Sequence, residues 1–481
     1  MNRRPPVAPT GADRPIVPST QASSVAVEDA ALEAEEAFLF FDASLKLLRA
    51  RRSFREASRP EIVLAVSGGP DSLAMMVLAA ASAARLETRF HVVTIDHGLR
   101  AESSEEARFV AAMAASLGLS HETRRWERGG PVSGNLQAEA REARYRLLAE
   151  AARERGAVAI VTAHHQDDQI ETHLIARTRR AGPRGLAAMR PIRDLDPGLS
   201  LLRPFLQVPR VALEATLRRR GLDFVRDPSN RDMRFLRARI RRSIEATSQR
   251  QSMLDVIEEN RRRQNALEAH LRESLLRWRE TGALAVSPEG VLTLGRGAFA
   301  DLSAELAAAL LERILLAVGG GAYPPPRAAT ERLGHRLQTV GGAGRWTLAG
   351  ATIAAGEALV FMREFGRRGP DELALEDMAG KSSACRFVFD NRFDLDLADA
   401  ASGAGAVVAF GRLGKGNPVE RTLPVLMDKR GEPLAAHPTL LAKLPPGTRR
   451  LALAERVSWR LTRDLDIAWP RSRHHPKPGA P

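Results

Sequence analysis

Between residues 61 and 176, four strand candidates alternate with four stretches of helical periodicity. The strands are Ile62–Val66, Phe90–Ile95, His121–Trp126 and Val158–Ala163; the helices are Asp71–Ala84, Ser103–Leu117, Leu136–Arg155 and Asp167–Ala176. Strands separated by helices pair in parallel, because only a crossover connection returns the chain to the same edge direction. A parallel sheet built this way is covered on both faces. The expected fold class is therefore α/β, with an N-terminal doubly wound parallel sheet. A helical middle domain and a small β-rich C-terminal domain are expected to follow.

The remaining organisation follows from local composition. Residues 1–35 are rich in Pro, Ala, Ser and Thr and are expected to form a disordered tail. A helix is expected over Glu36–Arg51, opening an α/β domain over 36–245. Residues 246–370 are expected to be a mostly helical domain, with helices at Asp255–Glu280 and Leu302–Val318 and a β-like stretch at Arg345–Met362. Residues 371–481 carry strand candidates at Cys385–Phe389, Ala406–Phe410 and Val457–Leu461, spaced by Gly and Pro, so a β-rich domain is expected there.

Three polar clusters fall at the carboxyl ends of strands, the rim where open α/β sheets bind ligands. The first is Ser67-Gly68-Gly69-Pro70-Asp71-Ser72. A small-residue turn between a buried strand and a helix N-terminus leaves backbone N–H groups converging on one spot, which suits a phosphate. The Walker pattern and its lysine are missing. The plain alternative is a strand–helix turn capped by Asp71. In the phosphate reading, Asp71 either holds Mg²⁺ or stays near the nucleophile. The second cluster is Asp96-His97-Gly98-Leu99-Arg100, where Asp96 or the backbone beside it would meet the nucleoside of ATP, unless it merely caps a turn. The third is His164-His165-Gln166-Asp167-Asp168-Gln169-Ile170-Glu171-Thr172. Asp168 and Glu171 project together at i, i+3, with His164 one turn earlier. Paired carboxylates near a phosphate loop can hold Mg²⁺ or an ammonium group. A zinc site is disfavoured, since no H-E-x-x-H or cysteine ligand is present. Arg141 and Arg144 share a helix face and suit either surface ion pairs or bidentate anion binding.

These segments resemble the tRNA(Ile)-lysidine synthase family of PP-loop ATP-pyrophosphatases. The resemblance runs through SGGPDS, IDHGLR, Asn135–Tyr145, AHHQDDQIET, the run from Arg203-Pro204-Phe205-Leu206, Asp227-Pro228-Ser229-Asn230 and Phe235–Arg241, over about residues 61 to 242 in order. Further along it is looser, at Phe389–Phe393 and Leu423–Leu426. The resemblance implies that ATP adenylates the C2 oxygen of the wobble cytidine in the CAU anticodon of an isoleucine tRNA. Free L-lysine then displaces AMP to form lysidine. It implies ATP contacts at Ser67, Gly68, Gly69, Pro70, Asp71, Ser72 and Asp96, with Asp71, Asp168 and Glu171 as catalytic residues. Lysine would be held by Arg144, His164, Asp168 and Glu171. The tRNA would lie along Arg203, Arg237, Arg239 and Arg241, and the resemblance implies that the 246–370 domain binds tRNA. ATP and Mg²⁺ are the implied cofactors. Arg179–Arg184 replaces the family's Gly-Ser-Gly-Leu-like loop, and Ala238 stands where the family places Asn.

Bulk composition narrows the alternatives. The 72 Lys and Arg against 58 Asp and Glu leave a net charge of +14, suited to a polyanionic partner. Residues 203–263 alone hold 16 Arg against 8 acidic residues. Cys385 is the single cysteine, which excludes an internal disulfide and argues against a tRNA thiolase. An amide-forming synthetase would not need the Arg-rich extension. A non-catalytic RNA-binding protein on the same scaffold would not need SGGPDS with Asp168 and Glu171. No stretch reads as a membrane span or a signal peptide, so a cytoplasmic protein is expected. A C2 homodimer is the default assembly.

Overall fold

The computed structural model describes residues 31–51, 59–98, 103–126, 136–179, 181–224, 249–339, 342–375, 386–397, 403–414 and 416–465. The chain divides into two compact units. One is Met1–Ala176 with Ala188–Ile257, and the other is Arg177–Ala187 with Glu258–Pro481.

The first unit is built on β1 (Glu61–Ala65), β2 (Arg89–Asp96), β3 (Ser120–Arg125), β4 (Ala159–Val161), β5 (Ile192–Asp196) and β6 (Leu199–Leu202). Their order is β3-β2-β1-β4-β6-β5. The first five in that order pair in parallel, and β5 closes the edge antiparallel to β6. The helices of this unit are α1 (Ala34–Arg51), α2 (Pro70–Ser82), α3 (Ser103–Ser116), α4 (Leu136–Glu154), most of α5 (Gln166–Thr178), and α7 (Arg210–Arg219), while α6 (Pro183–Leu186) and all but the first turns of α8 (Arg250–Glu280) belong to the second unit. Strand residues alternate faces, and the two cores show it. Ile62, Leu64, Val92 and Val161 pack with Phe41 and Leu48 of α1, Leu73 and Val77 of α2 and Leu213 of α7. Val63, Ala65, Val93 and Ile160 pack with Leu148 and Ala152 of α4. From β1 the chain builds outward through β2 to β3, then returns to place β4 on the other side of β1. That reversal opens a crevice at the carboxyl ends of β1 and β4. The segments leaving those two strands are the phosphate-loop candidate and the acidic helix α5. The antiparallel β5–β6 edge was not anticipated from sequence.

The second unit contains, among the described residues, three β-sheets with helices. An antiparallel sheet of order β7-β8-β11-β10-β9 is formed by β7 (Leu284–Val286), β8 (Leu292–Gly295), β9 (Gly344–Leu348), β10 (Ala351–Ala355) and β11 (Ala358–Arg363). It packs with α10 (Ala304–Gly319) and α11 (Arg327–Thr339), while α9 (Arg296–Ala300) follows β8. The 246–370 segment therefore owns a sheet as well as helices. Next come β12 (Leu373–Ala374), β13 (Arg386–Phe389), β14 (Phe393–Asp396), β15 (Ala404–Ala409), β16 (Pro424–Asp428), β17 (Pro433–Ala436), β18 (Arg449–Arg450) and β19 (Ala452–Glu455). They form sheets of order β12-β15-β16-β17-β18 and β13-β14-β19.

Val457–Leu461, expected as a strand, is instead part of a helix, α12 (Val457–Thr462). Val457, Trp459 and Leu461 fit a two-residue period, but Val457, Leu461 and Leu465 fit a four-residue one. All three of the latter are buried in the core that holds Ile314 and Leu315 of α10. The apolar spacing was ambiguous locally, and the available core face decided it.

Candidate active site

Ser67–Ser72 leaves β1 as a tight, self-bonded turn. The Ser72 hydroxyl donates to Gly69 O (3.0 Å) and accepts from the Ser67 N–H (3.1 Å). Gly68 has φ +82°, a region that L side chains rarely adopt, so glycine is required by the backbone itself. Helix α2 starts at Pro70 behind Gly69, whose N-cap position carries no side-chain hydrogen bond. Asp71 lies in the first turn of the helix, two residues past that N-cap position. The first-turn N–H groups point at the rim, with the positive end of the helix dipole behind them.

The acidic helix faces this loop through one histidine. His165 is 2% exposed, and its Nε2 lies 3.6 Å from Asp71 Oδ2 and 3.4 Å from Asp168 Oδ2. Burial opposes its charge, but the hydrogen bond to Asp71 and the charges of Asp168, Asp71 and Asp167 outweigh it and raise its pKa. Asp168 Oδ2 also accepts the His165 backbone N–H (3.1 Å), closing the first turn of α5. Glu171, three residues on and 3% exposed, lies on the same helix face. Asp167 points elsewhere. Its carboxylate accepts the Arg210 N–H (3.2 Å) and both terminal nitrogens of Arg250 (2.5 and 3.2 Å), tying α5 to the starts of α7 and α8. Burial works against its ionisation, yet these bonds hold its pKa low. Arg210 Nε is 3.7 Å from Asp71 Oδ1. His165, Asp167, Arg210 and Arg250 were assigned no role from sequence. The Asp-Asp doublet was visible, but which acid faces the loop depends on the rotation of α5.

A cationic group lies beside His164. The imidazole sits within electrostatic reach of Asp168 and of Arg203, Arg144 and Arg141. Burial, added to by the three guanidinium groups, takes its pKa down to about 3, so it is neutral at physiological pH. Its Nδ1 is 2.8 Å from the Thr162 hydroxyl. Arg144 is also close enough to His97 to depress its titration, after burial. Arg203 was expected along the tRNA backbone. It is 4% exposed, with Nη1 donating to Arg190 O (2.8 Å), and a side chain so enclosed cannot line an external RNA strand. Arg237, Arg239, Arg241 and Ala238 lie outside the described residues.

Asp96, at the end of β2, is buried. Burial opposes its charge, but the Gly98 N–H (2.8 Å) and the Ser103 hydroxyl, with Arg125 and His97, hold its pKa below the usual range. Its carboxylate closes its own turn through the Gly98 N–H.

Residues 44–247 match the PP-loop domain family. The tRNA(Ile)-lysidine synthase of Methylobacterium nodulans is 42% identical over 307 residues, covering 61% of this chain and 86% of that protein. The chain belongs to the tRNA(Ile)-lysidine synthase family. The enzyme of that name from Brucella anthropi is 38% identical over 370 residues, 73% of this chain and 78% of the relative. The one from Bradyrhizobium diazoefficiens is 51% identical over 195 residues, but the chain spans only 54% of that relative's length. In the structure Asp71 and Asp168 both meet His165, and His164 lies within electrostatic reach of Asp168 and Arg144. The structure also supplies a partner for the departing loop, since Arg184 lies 3.8 Å from Asp464 within the second unit.

Proposed function

We propose that this chain ligates L-lysine to C2 of the wobble cytidine of tRNA-Ile bearing a CAU anticodon, using ATP and releasing AMP and pyrophosphate. The observation that carries this reading is His165 lying within 3.6 Å of both Asp71 and Asp168, which joins the phosphate loop to the acidic helix in one crevice.

In the first step the cytidine C2 oxygen bonds to the α-phosphorus and the bond to the β-phosphate oxygen breaks. Pyrophosphate leaves onto the backbone N–H groups of Gly68, Gly69, Asp71 and Ser72 in this turn. Mg²⁺ would be held by Asp71 together with phosphate oxygens, a ligand set Mg²⁺ commonly takes, and would neutralise triphosphate charge. Asp71 also has the Arg210 guanidinium and the His165 imidazole as neighbours, and the guanidinium suits a carboxylate kept ionised beside phosphates.

In the second step the ε-nitrogen of lysine bonds to C2, and the C2–O bond breaks as AMP departs with the oxygen. At pH 7, exposing the amine lone pair costs about 4–5 kcal/mol, because the ammonium pKa is near 10.4. Asp168 and Glu171 orient the ammonium, and one of them accepts its proton. Neutral His164 lines the pocket without adding charge. Arg144 takes the lysine carboxylate, and Asp96 or its backbone contacts the nucleoside. Arg237, Arg239 and Arg241 lie along the tRNA, where such contacts position the partner. The proposed setting is the cytoplasm, and among the described residues no helix is long and apolar enough to cross a membrane.

The test is incorporation of radiolabelled lysine into this tRNA, with stoichiometric AMP and pyrophosphate. AMP release that requires tRNA but not lysine would assign the chain to another adenylating modification. Tight tRNA binding without ATP turnover would make it a binding protein.

A further inference from the structure

We infer that Arg203, with Tyr145, is a specificity-determining residue: it joins Arg144 in binding the α-carboxylate of the incoming amino acid and so separates lysine from amines that lack that group. The inference rests on the ligase reading above and goes beyond it, because sequence placed Arg203 on the tRNA.

Arg203 is anchored as a receptor would be. Its backbone N–H donates to Pro191 O (2.8 Å), its Nη1 to Arg190 O (2.8 Å), and its side chain is hydrogen-bonded to Tyr145. Its Nε is buried and makes no hydrogen bond. Arg141 stacks over the Tyr145 ring at 5.2 Å, and Arg144 and Arg193 also lie within electrostatic reach of that phenol. Among the described residues, no ion pair joins Arg141, Arg144 or Arg203 to a carboxylate. An enclosed guanidinium with an unused N–H and no counter-ion is costly, and an arriving anion relieves that cost. Burial and the neighbouring cations both depress Arg203 and Arg144, in keeping with that deficit.

Which anion follows from the surroundings. His164 is in reach of Asp168 as well as of Arg203, Arg144 and Arg141. An acid suited to an ammonium, Asp168, and guanidinium groups suited to a carboxylate thus share one neutral imidazole. That arrangement complements a zwitterion whose charged ends are separated by an alkyl chain. A planar carboxylate also matches the guanidinium fork.

The experiment compares lysine with cadaverine (lysine without its carboxylate) as the amine in the tRNA assay, using wild type, Arg203→Met and Tyr145→Phe. Where an amine is not turned over, its inhibition constant against lysine replaces KM. Arg203→Met is expected to raise the KM for lysine about 100-fold, the scale for removing one partner of a buried charge pair. The values for cadaverine and ATP should stay within about twofold. Tyr145→Phe keeps the ring, is expected to fold, and should give a smaller shift in the same direction. Equal losses for lysine and cadaverine would overturn the inference, as would a raised KM for ATP, which would make the anion a phosphate. Failure of wild type to modify the tRNA with lysine would instead overturn the ligase reading itself.

Discussion

At the scale of single residues, the site is decided by which charges are held ionised and which are suppressed. Asp71→Ala and Glu171→Ala are each expected to lower lysine-dependent turnover by at least about 10²–10⁴-fold, the range for removing a positioned acid or base. Binding of tRNA should change little, and single-turnover assays beside a filter-binding titration check both. His164 sets a pH dependence of stability. Its pKa near 3 in the fold lies below the ordinary value of 6.5, so between those values the unfolded chain binds the additional proton. The stabilising contribution is therefore complete above about pH 6.5 and is lost as pH falls towards 3. His164→Gln should flatten the fall in urea midpoint between pH 7 and pH 5, and an unchanged slope would refute this. Asp168 and Glu171 were legible in sequence as a pair at i, i+3. The role of His165 was not, because the residue it meets, Asp71, lies 94 positions away.

At the scale of elements, the turn after β1 and the first turn of α5 carry the function. Any side chain at Gly68 must adopt φ near +82°. Gly68→Ala is expected to lose roughly 1–2 kcal/mol of stability and to raise the KM for ATP more than that for lysine, as denaturation and steady-state kinetics would show. The alternation of strands and helices over residues 61–176 was readable because its periods, two and about 3.6, are local properties of the chain. The β5–β6 edge was less readable. Its strands are short, and β5 reads Ile192-Arg193-Asp194-Leu195-Asp196, a pattern that shows its worth only when paired to β6. Helix α12 is the opposite error: a spacing compatible with both periods was settled by Ile314 and Leu315 across the core.

At the scale of the whole molecule, the second unit is knit by buried charge. Arg392 is 1% exposed, and its Nε donates to Asp390 Oδ2 (2.7 Å) while Arg363 grips both oxygens of the same carboxylate (2.9 and 3.0 Å). Burial brings Arg392 down to about 10, so it stays charged and depends on that partner. Asp390→Ala strands two guanidinium groups and is expected to destabilise the unit by about 3–5 kcal/mol. A shifted denaturation transition, with the first unit's nucleotide binding retained, is the outcome to look for. The Phe389–Phe393 segment was noticed in sequence only as a family likeness. Its structural use depends on Arg363, at the end of β11 in a different sheet, which composition could not link to it.

Strand, turn and helix succession, the small-residue loop at Ser67–Ser72 and the acid pair on α5 are properties of neighbours in the chain, and the sequence by itself determined them. The meeting of Asp71 with Asp168 through His165, the withdrawal of Arg203 from the surface and the sharing of Asp390 by two arginines were decided only by the tertiary structure. Each depends on distances between residues remote in sequence, which are set when the sheet order and the helix rotations are chosen together by core packing.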